Sequence, residues 1–141
     1  MDLNPVVESF RAARRVLFIT GAGLSADSGL PTYRGVGGLY DCGPTDEGLP
    51  IEIRQLDVCD PDSVEAGIAD PLDIDVLVNN AGFEVQGAIE QIDDALMQRQ
   101  FETNVMGPLR TMRTVLPIWC ERGSGVIVNI SSIAGRVAPP Y

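Results

Sequence analysis

Short clusters along this 141-residue chain carry groups suited to chemistry. Thr20-Gly-Ala-Gly-Leu-Ser25 puts glycines directly behind an apolar run. There the backbone can approach a pyrophosphate, and successive N–H groups can face its oxygens. The same residues also fit a plain tight turn between a strand and a helix. Asp57-Val58, Asn79-Asn-Ala-Gly82 and Ser131-Ser132 close or follow further apolar runs, and Asn104 sits in a helical stretch. Absences narrow the chemistry. All 10 basic residues are Arg, with no His and no Lys. No imidazole can act as base or metal ligand, and no amine can form a Schiff base or hold a phosphate. A Ser-His-Asp triad and a paired-His zinc site are excluded. No metal site is expected.

These clusters need elements to position them. Asn4-Pro5 reads as an N-cap with Pro at the first helical position, and Val6, Val7, Phe10 and Ala13 recur at helical spacing. They predict a helix over about residues 5–14. Val16-Leu-Phe-Ile-Thr20 is an apolar run without alternation, the pattern of a strand buried on both faces. A long stretch broken by glycines and prolines follows to Pro50, with at most a short helix near 24–29. Ile51–Val58 reads as a second strand, and Asp60 caps a helix over about 61–70. Asp75–Asn80 is a third strand. Asp93 caps a long helix with Phe101, Val105, Leu109, Met112 and Leu116 on one face, and Pro108 bends or restarts it. Gly123-Ser-Gly125 ends that helix, and Val126–Ile130 is a fourth strand.

Strands alternating with helices imply right-handed crossovers and a parallel sheet. The fold class is therefore α/β: an incomplete, Rossmann-like, three-layer sheet of about four strands in the order 2-1-3-4. Ligands of such sheets bind beyond the carboxyl ends of the strands, where the small and polar clusters gather here. The crevice is expected between Gly21–Ser25 and Asn79–Gly82.

Composition bounds the partners. The length suits one domain over residues 1–141, and 45% apolar content is that of a globular protein. A net charge of −10 disfavours nucleic acid and anionic membranes. Cys42, Cys59 and Cys120 are scattered and odd in number, so free thiols in a reducing compartment are expected. With no signal-peptide pattern and no run of membrane-spanning length, the expected location is the cytoplasm.

Residues 20–40, from Thr20-Gly-Ala-Gly-Leu-Ser25 through Ser28-Gly-Leu-Pro-Thr-Tyr-Arg-Gly35 to Leu39-Tyr40, resemble the opening of a sirtuin, an NAD-dependent protein deacylase. The resemblance runs over about residues 5–52 of the chain. It implies that Gly21, Ala22, Gly23 and Ser25 face the NAD phosphates and ribose. It also implies that Thr32, Tyr33 and Arg34 lie at the nicotinamide end, although many relatives have Asp where Thr32 stands. The sirtuin catalytic His and paired-Cys zinc module are absent from the chain, so deacylase activity is not expected.

From about residue 53 to 141 the sequence resembles another family, the short-chain dehydrogenases/reductases. Leu56-Asp-Val58 resembles the end of that family's third strand, which implies that Asp57 lies by the adenine and Val58 lines its pocket. Asp75-Val-Leu-Val-Asn-Asn-Ala-Gly82 resembles its NNAG signature, which implies that Asn79, Ala81 and Gly82 border the cofactor. Phe101-Glu-Thr-Asn-Val-Met-Gly107 resembles the helix bearing the family's catalytic Asn, here Asn104. Ser124–Gly135 resembles the strand that ends in its catalytic Ser, here Ser132. The family's first glycine-rich turn is replaced by the sirtuin-like one. Its Tyr-x-x-x-Lys is missing, since Tyr141 follows Ser132 too closely and the chain has no Lys. The tetrad is reduced to Asn104 and Ser132.

Structural roles stand beside these. Asn79 and Asn80 equally fit amides that tie neighbouring strands together. Asn104 fits a group that satisfies backbone at a helix bend, and Ser132 fits a loop hydroxyl. Trp119, Met112 and Leu116 read as core. The expectation is a module binding NAD, with NADP left open, and lacking a complete catalytic site. The alternatives are a dehydrogenase represented only in part, and a recombined chain without function. The fourth strand is expected to be an open edge through which chains self-associate.

Overall fold

Val16-Leu-Phe-Ile19, Val76-Leu-Val-Asn79 and Val126-Ile-Val-Asn129 are runs dominated by β-branched residues, and each folds as a strand, β1, β2 and β3. A computed structural model describes residues 3–21, 54–68 and 70–135 of the chain. The chain divides into two compact units, Met1–Thr20 with Leu56–Tyr141, and Gly21–Gln55. The second unit lies almost wholly outside the described residues, and every element below belongs to the first.

The strands form a parallel sheet in the order β1-β2-β3, with Val16, Val76 and Val126 in one row and Ile19, Asn79 and Asn129 in another. This order is the one expected for the first, third and fourth strands. The chain is a Rossmann-like α/β fold represented in part. Residues 54–58, expected to complete a strand from residue 51, form no strand, and 51–53 lie outside the described residues. A turn at residues 58–59 follows instead, closed by Asp57 Oδ1, which accepts the Cys59 N–H at 2.9 Å.

Two helices start at the Asp caps that the sequence signals. Asp60 accepts the Asp62 N–H at 3.0 Å and caps α2, Pro61–Gly67. Asp93 does the same for Ala95 at 2.7 Å and caps α3, Asp94–Phe101. The first helix, α1, runs Asn4–Ala12 with Leu3 at the cap position, so Asn4 lies inside it. After α3 the chain forms a π-helical segment, Glu102–Met106, and then α4, Gly107–Arg122, with Pro108 in its first turn. Gly123, at φ +70°, stops α4 in the left-handed conformation.

The main core cluster lies on one face of the sheet, and Val76 and Val78 of the central strand are buried on the other. Leu77 and Val115 are fully buried, with Ile19, Val58, Val64, Ile68, Ile74 and Trp119 around them. On the other face Phe18 of β1 is 58% exposed and pairs with the Phe10 ring of α1, at 6.2 Å between centroids. Burial of β1 on both faces is thus corrected to burial on one.

The apolar stripe expected to face the core is also corrected. Phe101, Val105, Leu109 and Leu116 are exposed and Met112 is half-buried. The inward row of α4 is Gly107, Thr111, Val115 and Trp119. Close approach of the helix decides this. A Cβ on Gly107 would stand 2.9 Å from the Val58 side chain, so only glycine fits there. The π segment also breaks the helical period between Phe101 and Leu109.

The amino-terminal end of the sheet is tied by Asp75. Its Oδ2 accepts the backbone N–H groups of Arg14 and Arg15 at 2.9 and 3.3 Å, which sets the start of β1 beside β2.

Candidate functional site

The carboxyl ends of the strands are held together by amides. Asn79 is buried at the end of β2. Its Nδ2 donates to Asn129 Oδ1 on β3 at 2.9 Å, and its Oδ1 accepts the Thr111 hydroxyl of α4 at 2.8 Å. Asn79 therefore serves as the strand tie that its residue type allows. Asn80 is exposed, and its backbone N–H donates to the Ile19 carbonyl at 2.9 Å. Thr111 was not legible as a site-supporting residue. Its signal is a polar residue at helical spacing between Gly107 and Val115.

Asn104 lies in the π segment, and its side-chain amide grips both backbone groups of one residue, Phe83. Its Oδ1 accepts the Phe83 N–H at 3.1 Å and its Nδ2 donates to the Phe83 carbonyl at 2.8 Å. A Cβ on Gly82 would stand 3.1 Å from that Oδ1, so the absence of a side chain at Gly82 gives Asn104 its room. The loop after β2, with Ala81 and Gly82 half-buried, is thereby fixed from the sheet side by Asn79 and from the helix side by Asn104.

The turn at Asp57–Cys59 is fixed in a similar way. The Asp57 N–H donates to Ser63 Oγ at 2.9 Å, and Asp57 Oδ1 accepts from Cys59. Asp57 Oδ2 has no hydrogen-bond partner among the described residues. Val58 is buried under Gly107, and its carbonyl accepts from Arg110 at 3.2 Å. Arg110 also pairs with Glu102, and Cys59 Sγ lies 3.3 Å from Thr103 Oγ1. None of these partners was legible, because the pairs span the irregular π turn or join to backbone.

Ser132 is exposed just beyond β3, and its carbonyl accepts the Gly135 N–H at 3.1 Å in a short 3-10 turn, Ile133–Gly135. Gly21 is half-buried at the end of β1. Ala22, Gly23, Ser25, Thr32, Tyr33, Arg34 and Tyr141 lie outside the described residues, as does Cys42. Cys59 and Cys120 are free thiols. Among the described residues no acidic or thiol cluster is placed to hold a metal, and no helix is long and apolar enough to cross a membrane.

Residues 44–141 match the family model of the short chain dehydrogenases. The chain belongs to the short-chain dehydrogenase family. The match begins ahead of the change in resemblance at about residue 53. Human retinol dehydrogenase 8 is 42% identical over 89 residues, 62% of this chain and 29% of the relative. A second similarity is of another kind. NAD-dependent protein deacylase 2 of Pseudomonas aeruginosa is 70% identical over 47 residues, 33% of this chain and 18% of the deacylase. The chain is thus a hybrid of a deacylase-like segment and a short-chain dehydrogenase segment. The crystal structure of a 3-oxoacyl-[acyl-carrier protein] reductase with bound NAD from Brucella melitensis superposes with a TM-score of 0.59 at 32% identity. That superposition covers 66% of this chain and 37% of the reductase. The short-chain dehydrogenase chain spans well under half the length of each of these relatives.

Proposed function

We propose that the chain binds an NAD-type dinucleotide along the carboxyl edge of its sheet and lacks a complete catalytic site of its own. The observation that carries this reading is the double fixing of the loop after β2. Asn79 holds its start to β3 and α4, and Asn104 holds its Phe83 backbone to the π segment. Small residues, Ala81 and Gly82, stand between the two anchors, where a flat ligand needs backbone without side chains in its way. The family and the NAD-bound relative support the same ligand class.

In this reading residues 1–141 act as one dinucleotide-binding domain. Gly21, Ala22, Gly23 and Ser25 hold the phosphates and adjoining ribose, and Tyr33 and Arg34 the nicotinamide end. Asn79, Ala81 and Gly82 border the cofactor. Asp57 and Val58 serve the adenine. The free Oδ2 of Asp57 suits the adenine amino group, which is a hydrogen-bond donor. When bound, the dinucleotide supplies a hydride donor or acceptor at its nicotinamide ring. Asn104 and Ser132 are the two catalytic positions present. Lys is absent from the whole chain, so nothing lowers the pKa of a catalytic Tyr or holds the ribose from that side. NAD is favoured over NADP by the deacylase-like segment.

A thermal unfolding scan with and without NAD tests the reading. Ligand at ten times its Kd adds about 1.4 kcal/mol, a rise of a few degrees in Tm for a chain of this size. A cooperative melt that NAD leaves unmoved overturns it. The second reading is a dehydrogenase represented in part, favoured by the small share of each relative that the chain spans. It predicts that a Tyr-x-x-x-Lys supplied by a further segment or another chain restores NADH-dependent carbonyl reduction. The chain alone is expected to give none.

A further inference from the structure

The π segment touches both loops that the proposed function assigns to the dinucleotide. Through Asn104 it holds the Phe83 backbone. Thr103 of the segment, with Gly107 and Arg110 of α4 just beyond it, reaches the Asp57–Cys59 turn. Arg110, one turn into α4, donates from Nη1 to the Val58 carbonyl at 3.2 Å and from Nη2 to Glu102, the first residue of the π segment. Thr103 Oγ1 meets Cys59 Sγ, and Gly107 lies against the Val58 side chain. The Arg110 side chain is only 17% exposed, so this ion pair is partly shielded from water. A guanidinium held by a carboxylate is a rigid fork, and its remaining donor fixes whatever it reaches. Here it reaches the Val58–Cys59 peptide, whose N–H in turn donates to Asp57 Oδ1. Asp57 in turn spends Oδ1 on its own turn and keeps Oδ2 free of partners among the described residues.

We propose that Arg110, braced by Glu102, is a positioning residue for the adenine end of the dinucleotide, acting through the Val58 carbonyl to aim the free oxygen of Asp57. The role rests on the dinucleotide reading above. Arg110 itself touches no ligand. It sets the angle of the Asp57–Val58 turn against the loop that Asn104 holds.

The test compares NADH with reduced nicotinamide hypoxanthine dinucleotide, which carries an oxo group in place of the adenine amino group. Kd values for both are measured on the full chain and on Arg110→Met, Arg110→Lys and Glu102→Gln. The wild-type chain binds NADH more tightly than the analogue. Arg110→Met weakens NADH by about tenfold, the effect of one well-placed charge-assisted hydrogen bond, and leaves the analogue within about twofold. Arg110→Lys and Glu102→Gln give smaller losses in the same direction, and they report even where Arg110→Met fails to fold. Equal weakening of both ligands means a merely structural role and overturns the proposal, as does an unchanged ratio in all three variants. A wild-type chain that binds both ligands equally also overturns it. A wild-type chain that binds neither overturns the dinucleotide reading itself.

Discussion

Asn104 and Phe83 form a closed pair, side-chain amide against the N–H and C=O of one residue, with hydrogen bonds of 3.1 and 2.8 Å. The amide replaces a strand partner for a residue that has left the sheet. Asn104→Ala removes both bonds and leaves the Phe83 backbone to water. Asn104 is exposed, so a loss of about 1–2 kcal/mol is expected in urea unfolding. Asn104→Asp keeps an acceptor for the N–H but loses the donor to the carbonyl. It is expected to be destabilised as well, and a variant as stable as the wild type would refute the pairing.

Thr111 and Asn79 are both buried, so their bond has no water to replace it. Thr111→Val keeps the shape and strands Asn79 Oδ1 without a donor. The expected cost is about 1–3 kcal/mol. Thr111→Ser keeps the hydroxyl and loses one methyl, about 1 kcal/mol. Denaturant midpoints of the two variants are expected in that order, and the reverse order would refute the bond.

Two glycines of α4 and its cap separate space from backbone freedom. Gly107 has helical backbone but no room beside Val58, and Gly107→Ala is expected to cost about 1–3 kcal/mol by overpacking. Gly123 has open space around it but φ +70°, and Gly123→Ala is expected to cost about 1 kcal/mol through strain alone. Pairing each with a compensating Val58→Ala tells them apart. That change removes the Cγ2 contact but keeps Val58 Cβ, also at 2.9 Å, so it is expected to relieve Gly107→Ala in part and to leave the cost of Gly123→Ala unaltered.

Self-association is expected through the free side of β3, which is the edge of the described sheet. Light scattering across a concentration series is expected to show species heavier than one chain. A constant monomer at high concentration would refute it.

The sequence made the strands legible because three runs of β-branched residues stand between clear breakers. Asp60, Asp93, Pro108 and Gly123 were legible because capping, helix starting and helix stopping depend on residue type. The inward face of α4 was not. Hydrophobicity points to Leu109 and Leu116, whereas the helix seats itself on Gly107 and Thr111, where it can come close to Val58 and satisfy Asn79. At the site, Asn79 and Asn104 could be named from residue type and motif. Their partners could not, since a backbone partner such as that of Phe83 leaves no mark in the sequence. Arg110 escaped notice for the same reason.

The π turn at Glu102–Met106 acts as a phase step along a continuous rod. It holds one residue more than an α turn would, so the faces before and after it are offset by about 100°. Removing any single residue there would let the rod wind uniformly. Asn104 would then swing away from Phe83, and the row Gly107–Thr111–Val115–Trp119 would turn from the sheet, without one hydrophobic residue having been lost. In this stretch residue count governs orientation more than residue identity does. Single-residue deletions are expected to be worse tolerated there than in the neighbouring turns of α3.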